Sequence, residues 1–524
     1  MTPAPVPAEP PHARRGAVLA LTTGAVSMTL IDMTAVAVAL PTLQADLNIS
    51  AGSAQWVVSA YFLALAAGVA LGGRLGDSFG HGRCFLVGVA VFGAVSAVAG
   101  AAPSIEVLVA ARVVQGLAAA LTLPAGQALL VDTFPESERG RALGLYIGIG
   151  SAFVSLGPLL GGWLSEDLSW RWVFLINPPI ALAVLATGLF ALRTETQVPT
   201  RSPLDVPGGL LLAGVMVALV LGIGAAGTSA PPIAVIAAAA IAIVLGIVLR
   251  AFERRAPQPL LSASLLRRAA FAGGLAVSAC LQLALIGLVV YGAAWLQDGL
   301  DLSPLTAGAA VLPATLTFLV VAPLGGAVAD RVGSRMPMVA GTALLTAALA
   351  WLAVTVPDDS YALLLPGFVL AGAGLGLAVA TTTRAVLSAA PERERGGASG
   401  LLYTSQQFGS ALGAALLGAV LVAVERSALD HHLDTITGAT PTLRAQAEQA
   451  LRAHDVTAGL PAAIADAVTD ALGSGTAAAF AVGGVAALVA CAVAYISQGP
   501  RKRRQSAPRP QQGAGAADEH PART

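Results

Sequence analysis

Fourteen stretches of this chain stay apolar for about the length a helix needs to cross a bilayer. They fall near residues 17–40, 54–73, 84–102, 105–131, 142–164, 172–192, 207–227, 232–250, 271–296, 306–329, 337–356, 362–388, 400–423 and 476–497. About 20 residues at about 1.5 Å each cover a hydrocarbon layer of about 30 Å. Within lipid every backbone N–H and C=O must be satisfied inside the span, and helices do this on their own. The expectation is therefore an all-α polytopic membrane protein. Composition points the same way: 56% of residues are hydrophobic and only 11% are charged, whereas soluble domains carry about a quarter charged residues.

An even number of spans puts both termini on one side, and the basic residues choose which. With the N-terminus inside, Arg171, Arg426, Arg444 and Arg452 are the only Lys or Arg in outside segments, and Arg112 and Arg384 lie within spans. Both ends are thus expected in the cytoplasm. Residues 1–16 read as a Pro-rich disordered tail. Residues 498–524 read as a basic disordered tail whose Arg501-Lys502-Arg503-Arg504 suits anionic headgroups. Trp170 and Trp172 flank Arg171 at an outer boundary, as interfacial aromatics do. The segment 424–475 reads as a partly helical outside loop.

The chain repeats itself. Pro135-Glu136-Ser137-Glu138-Arg139-Gly140 recurs as Pro391-Glu392-Arg393-Glu394-Arg395-Gly396, displaced by 256 residues. Gly73-Arg74-Leu75-Gly76-Asp77-Ser78-Phe79-Gly80 recurs as Gly326-Ala327-Val328-Ala329-Asp330-Arg331-Val332-Gly333, displaced by 253. Both elements fall on inside loops of equal rank. The expected organisation is a six-helix bundle over 17–192, a linker over 193–270 with two inserted helices (207–227 and 232–250), and a second bundle over 271–497. Six-span halves with a substrate site between them are one transporter plan.

Several function classes are excluded. Lys502 is the only lysine, so no Walker A loop exists and no ATP-driven pump of that kind is expected. The formal net charge is zero and no basic face suggests nucleic acid. None of the six histidines lies in an expected span, which argues against a metal or His-based centre in the bundle. Cys84, Cys280 and Cys491 fit no disulfide or metal spacing. No catalytic cluster suggests an enzyme, and no soluble signalling domain suggests a receptor or scaffold.

The first apolar run holds one carboxylate, Asp32. A charge at that depth costs several kcal/mol unless paired, wetted or protonated, so it marks a functional site by default. Arg112 sits at matching depth in the fourth run: both lie about 12–14 Å below the outer surface, counted from Pro41 and Ser104 at about 1.5 Å per residue. Pairing or proton-dependent coupling between them follows as an expectation, with a static ion pair as the alternative. Gln115, Gln127, Asn177, Gln282, Gln406 and Gln407 are uncharged polar residues in or near spans, suited to a cavity wall or to interhelical hydrogen bonds. Gly157-Pro158 removes a backbone donor in mid-helix, and Gly161-Gly162 permits close approach of a neighbour.

These elements resemble a known family. Gly73-x-Leu75-Gly76-Asp77-x-x-Gly80 with Arg83 resembles the loop signature of the major facilitator superfamily, and Leu108-x-x-x-Arg112-x-x-Gln115-Gly116 its fourth-span motif. Gly157-Pro158-Leu159-Leu160-Gly161-Gly162 is similar to its antiporter motif. Leu30 to Pro41, Trp170 to Asn177 and the span count narrow the resemblance to the fourteen-span drug:proton antiporters. The resemblance implies two six-helix bundles plus two additional helices, acting as a monomer in a bacterial cytoplasmic membrane. It implies export of amphipathic small molecules driven by the proton gradient, with no other cofactor. Asp32 and Arg112 would couple protons, while Asp32, Gln115, Asn177, Gln282, Gln406 and Gln407 would line the substrate cavity. Gly73, Asp77, Gly80, Arg83, Asp330 and Arg331 would form a conformational latch, and Gly157, Pro158, Gly161 and Gly162 a sealing helix. With Asp32 as the only mid-depth acid, a neutral or monocationic substrate is expected. An exporter or facilitator of an endogenous metabolite is the alternative reading.

Overall fold

The computed structural model describes residues 12–192, 206–226, 231–255, 263–358, 360–391, 395–436, 440–453 and 460–498. In chain order the helices are α1 (His12–Leu47), α2 (Ala51–Phe79), α3 (His81–Gly100), α4 (Ile105–Thr133), α5 (Glu136–Asp167), α6 (Trp172–Leu175), α7 (Asn177–Ala191), α8 (Val206–Ala226) and α9 (Pro232–Glu253). There follow α10 (Ala263–Leu266), α11 (Ala269–Ile286), α12 (Gly292–Asp298), α13 (Pro304–Val332), α14 (Arg335–Thr355), α15 (Tyr361–Ala389), α16 (Arg395–Thr435), α17 (Pro441–Ala453) and α18 (Ala462–Ser497). A π-helical turn, Gly287–Tyr291, joins α11 to α12 into one span. Among the described residues 13 helical segments are long and apolar enough to cross a membrane. The remaining expected run, 142–164, lies inside α5, which is 32 residues long.

The two copies of the repeat share fine geometry. Four described residues have positive φ: Asn48 and Asp301 at 50° and 51°, Gly80 and Gly333 at 95° and 88°. Each pair is separated by the 253-residue displacement read in the sequence. Asn and Asp tolerate the left-handed region better than other side chains, and glycine has no Cβ to oppose it. The left-handed residues turn the chain just before α2 and α13, and Ser50 and Ser303 then cap these helices, accepting hydrogen bonds from the Ser53 and Thr306 N–H groups. Both helices are 29 residues long and end on the positive-φ glycines.

The first six long helices pack on one another through α1–α5, α2–α4, α3–α4 and α3–α7. The last six do so through α11–α16, α13–α15, α14–α15 and α16–α18. The two groups meet along α2–α16 and α5–α13. The inserted helix α8 docks on α2 and α16. Helix α9 packs on α8 and presents Ile233, Ile236, Ile243 and Ile247 outward, which suits lipid.

Three expectations are corrected. The N-terminal tail is shorter than 16 residues among those described: α1 starts at His12, Arg15 is buried and pairs with Glu138 at 3.4 Å, and Arg14 Nε donates to the Ala191 carbonyl at the end of α7. The segment 424–475 is mostly not a loop. α16 runs on to Thr435 and α18 already starts at Ala462, with α17 packed against both. Charged residues in 425–434 interrupt the apolar window, yet Leu429, Leu433, Ala447, Ala450, Leu451, Ile464, Val468 and Leu472 bury into the core of the second half. Of the two tryptophans expected at an interface, Trp172 is half exposed but Trp170 is buried. Trp170 Nε1 and Arg171 Nη1 both donate to Asp46, pinning the end of α1 to the turn after α5. The basic run Arg501–Arg504 lies outside the described residues.

Candidate functional site: a buried ion pair behind a central cavity

Asp32 is fully buried and Arg112 is 1% exposed. Arg112 Nη1 donates to Asp32 Oδ2 at 2.5 Å and to Gln115 Oε1 at 3.1 Å, and its Nε donates to the Val57 carbonyl of α2 at 2.9 Å. Asn177 Nδ2 donates to the other carboxylate oxygen of Asp32 at 3.1 Å and also reaches Ser96 Oγ, which accepts from Gln115 Nε2 at 2.6 Å. The guanidinium lies 4.2 Å from the centre of the Tyr61 ring and 5.6 Å from that of Phe174. Residues from α1, α2, α3, α4, α6 and α7 thus converge on one carboxylate–guanidinium pair. Burying two charges costs several kcal/mol each, offset only when pairing and hydrogen bonding are good. Here both carboxylate oxygens and three guanidinium hydrogen bonds are accounted for. A proton placed on Asp32 would remove the attraction while Arg112 stays charged, so this group of residues has two distinct electrostatic conditions.

The substrate-sized space lies on the other side of α1. A cavity of about 340 Å³ sits between the two halves, and α1, α2, α4, α5, α11, α13, α15 and α16 all contribute to its wall. Along α1 it is lined by Val26, Leu30, Met33 and Thr34, whereas Asp32 points away from it. Of the expected cavity residues, Gln282 and Gln406 line the wall; Asp32, Gln115, Asn177 and Gln407 do not. The correction has a simple cause. Helix α1 carries polar residues on more than one face, Thr22, Thr29 and Asp32 on one and Thr23, Ser27 and Thr34 on another, so depth along the axis is readable but rotation about it is not. Gln115 and Asn177 hold the ion pair instead, and Gln407 sits beside the Tyr403 hydroxyl. Sequence reasoning gave no role to Tyr61, Tyr146 or Tyr403. Tyr146 and Tyr403 line the cavity from α5 and α16, and Gln127 on the wall sits beside Tyr146. The repeat was the available signal for the last two, which fall one residue from equivalence.

The cavity extends from mid-depth toward the end of the bundle where α1 and α16 begin. At the opposite end, which carries the α1–α2 turn and is called outer below, the halves close on each other. Gln297 Nε2 donates to the Val38 carbonyl at 2.9 Å, Leu305 N–H donates to Glu166 Oε2 at 2.9 Å, and Gln55 Nε2 donates to the Tyr291 hydroxyl at 2.6 Å. The antiporter-type helix lies at this closure. A Cβ on Gly157 would overlap the Thr34 side chain, and one on Gly161 the Ala35 backbone. A Cβ on Gly162 would overlap the Pro304 backbone of the other half, and one on Gly308 the Pro158 backbone. Pro158 itself touches the cavity.

Of the expected latch, Gly80 takes the positive φ that the turn requires, and Gly73 lies within α2. Arg83 and Arg331 are exposed at the inner helix ends. The side chains of Asp77 and Asp330 lie outside what the structure describes. Glu425 in α16, read in the sequence as part of an outside loop, is 3% exposed and stands close to Gly475 of α18.

Residues 22–414 match the family model described as Major Facilitator Superfamily. The chain is 37% identical over 405 residues to the tetracenomycin C resistance and export protein of Streptomyces glaucescens, covering 76% of this chain and 74% of that one. It is 31% identical over 487 residues to the multidrug efflux pump LfrA of Mycolicibacterium smegmatis, covering 92% and 95%. In fold it is similar to an inward-facing, occupied bacterial homologue of the lysosomal transporter Spinster, with a TM-score of 0.64 at 16% identity, covering 93% and 97% of the two chains. With its helical halves, repeated loop geometry and central cavity, the chain belongs to the Major Facilitator Superfamily.

Proposed function

We propose that the protein exports amphipathic small molecules of the drug or antibiotic type across a bacterial cytoplasmic membrane in exchange for protons. The carrying observation is the pairing of two sites that do not touch: a largely apolar cavity between the halves, and a sealed Asp32–Arg112 pair behind α1. The names of the relatives above, and that of the puromycin resistance protein of Streptomyces alboniger (34% identical over 431 residues), support drug export. The crowding of basic residues at the end where α1 begins supports a cytoplasmic N-terminus. In this reading the state is closed outside, with the cavity toward the cytoplasm and the Asp32–Arg112 pair intact.

In this reading protons and substrate do not compete for one carboxylate; they compete for one conformation. Arg112 ties Asp32 on α1 to the Val57 carbonyl on α2 and stacks on Tyr61. Tyr61 packs edge-on against Phe62, their ring centres 5.6 Å apart, and Phe62 lines the cavity. Protonation of Asp32 from outside frees Arg112, loosens α1 against α2 and α4, and repositions that wall. Substrate leaves outward, and the protonated state returns to face the cytoplasm and discharges. Asp77, Arg83, Asp330 and Arg331 would hold the inner helix ends together while the outside is open. Efflux of a panel of lipophilic dyes and antibiotics from cells, with and without a pH gradient, tests this for wild type and Asp32→Asn. Gradient-driven efflux lost in Asp32→Asn is expected. Efflux that ignores the gradient and survives the substitution would leave a facilitator.

A further inference from the structure

We infer that the cavity selects uncharged ligands: molecules with a broad apolar surface that carry neutral hydroxyl, carbonyl or amide groups. This deepens the export reading and rests on it. Among the described residues the wall holds no Asp, Glu, Lys, Arg or His. Its deeper part is apolar, formed by Met33, Phe62, Leu288, Val289, Val311 and Phe318. Its polar groups are all neutral: Gln127, Tyr146, Gln282, Tyr403 and Gln406, with hydroxyls from Thr34, Thr315, Thr383 and Ser399, offer amides and hydroxyls that can both donate and accept. Such a wall rewards a ligand that matches neutral donors and acceptors and penalises one that leaves them unpaired.

A cation in this space would find no counter-charge among the described residues of the wall. Asp32, on a helix that lines the wall, has both oxygens hydrogen-bonded and is committed to Arg112 on the far face of α1. To pair with a cationic ligand it would have to leave Arg112 buried and unpaired, which is the costly way to break such a pair. A buried cation without a partner is strongly disfavoured in an apolar site. The ring faces of Phe62, Tyr146 and Tyr403 give partial compensation at most. The volume, about 340 Å³, lies at the low end of pockets that hold drug-sized ligands, so a planar or compact multi-ring skeleton fits better than a long flexible chain.

The test uses the full-length protein in lipid nanodiscs and two probes with one skeleton: a dihydroxyanthraquinone, and the same anthraquinone carrying a trimethylammonium arm. Binding is titrated by fluorescence at fixed pH, for wild type, Gln406→Glu and Gln127→Glu. Wild type is expected to bind the neutral probe at least about tenfold more tightly, since the cation is desolvated without a partner. Either glutamate, placed on the wall, is expected to narrow that ratio about tenfold or reverse it. Equal or tighter binding of the cation by wild type would overturn the inference, and the wild-type comparison decides this even if a variant fails to fold. Gradient-driven uptake of the neutral probe into inverted vesicles is measured separately. Neutral-selective binding without such uptake would support the ligand class while contradicting the export reading.

Discussion

Gly162 is a position where one added methyl group acts on a conformational equilibrium rather than on a fold. It lies on α5 at the closed outer end, and a Cβ there would overlap the carbonyl of Pro304 and the Cα of Leu305 on α13. Both obstacles are backbone, so no side chain can swing aside. Forcing a methyl into such a contact costs about 1–3 kcal/mol. Gly→Ala also raises helix propensity by about 1 kcal/mol, but α5 is helical whichever end is open, so that gain cancels between states. The steric cost applies only where α5 and α13 touch. Gly162→Ala is therefore expected to shift the ratio of outer-open to outer-closed molecules by about 5- to 150-fold. Spin labels at Leu168 and Asp358, on outer turns of the two halves, would report the distance distribution in a variant lacking Cys84, Cys280 and Cys491. Gly400→Ala is the control, because a Cβ there meets nothing within 4 Å. If Gly162→Ala leaves the populations where Gly400→Ala leaves them, the claim that this contact holds the outer end closed is wrong.

Other outcomes follow from the same contacts. Arg112→Ala orphans a fully buried carboxylate and should lower stability by about 3–5 kcal/mol near neutral pH. The deficit should shrink as pH falls, because protonation neutralises Asp32; thermal unfolding across pH checks both magnitude and sign. Gln55→Leu removes the donor to the Tyr291 hydroxyl, which still donates to the Ala414 carbonyl. The loss of about 0.5–1.5 kcal/mol falls on the outer-closed state and should appear in the same spin-label distances. Leu433→Ala, in the extension of α16 beyond the apolar run, should cost about 2–5 kcal/mol if that extension is packed core. A thermal shift no larger than that of an exposed-site variant would return the segment to loop status.

What the sequence disclosed and what it withheld divide along a physical line. Depth in a membrane is one-dimensional and follows from residue count, so Asp32 and Arg112 could be placed at one level before their contact was seen. The repeat was equally legible at the two loop motifs, while the left-handed turns at Asn48 and Asp301, at the same displacement, emerged only in the structure. Rotation about a helix axis needs a polar stripe as reference, and α1 lacks one. The sequence therefore does not separate Asp32 from Leu30, Met33 and Thr34, which face the cavity. Gln115 and Asn177 are ambiguous for another reason: an uncharged polar residue serves a ligand or a buried charge equally well. The reach of α16 was hidden by Glu425, Arg426, Asp430, His431, His432 and Asp434, which end an apolar window without ending a helix. Tyr146 and Tyr403 carried no signal beyond their near-equivalence in the repeat, since a tyrosine in a span reads as packing.

The most direct test of the central claim is a proton count at the moment of binding. Purified protein in weakly buffered detergent, with a pH-indicating dye, receives a saturating transported compound. Substrate is proposed to bind the state in which Asp32 pairs with Arg112, so wild type should release protons on binding. Asp32→Asn should bind the compound and release none. Proton release undiminished in Asp32→Asn would contradict the assignment of the coupling carboxylate and move the search to another buried acid, Glu425 first.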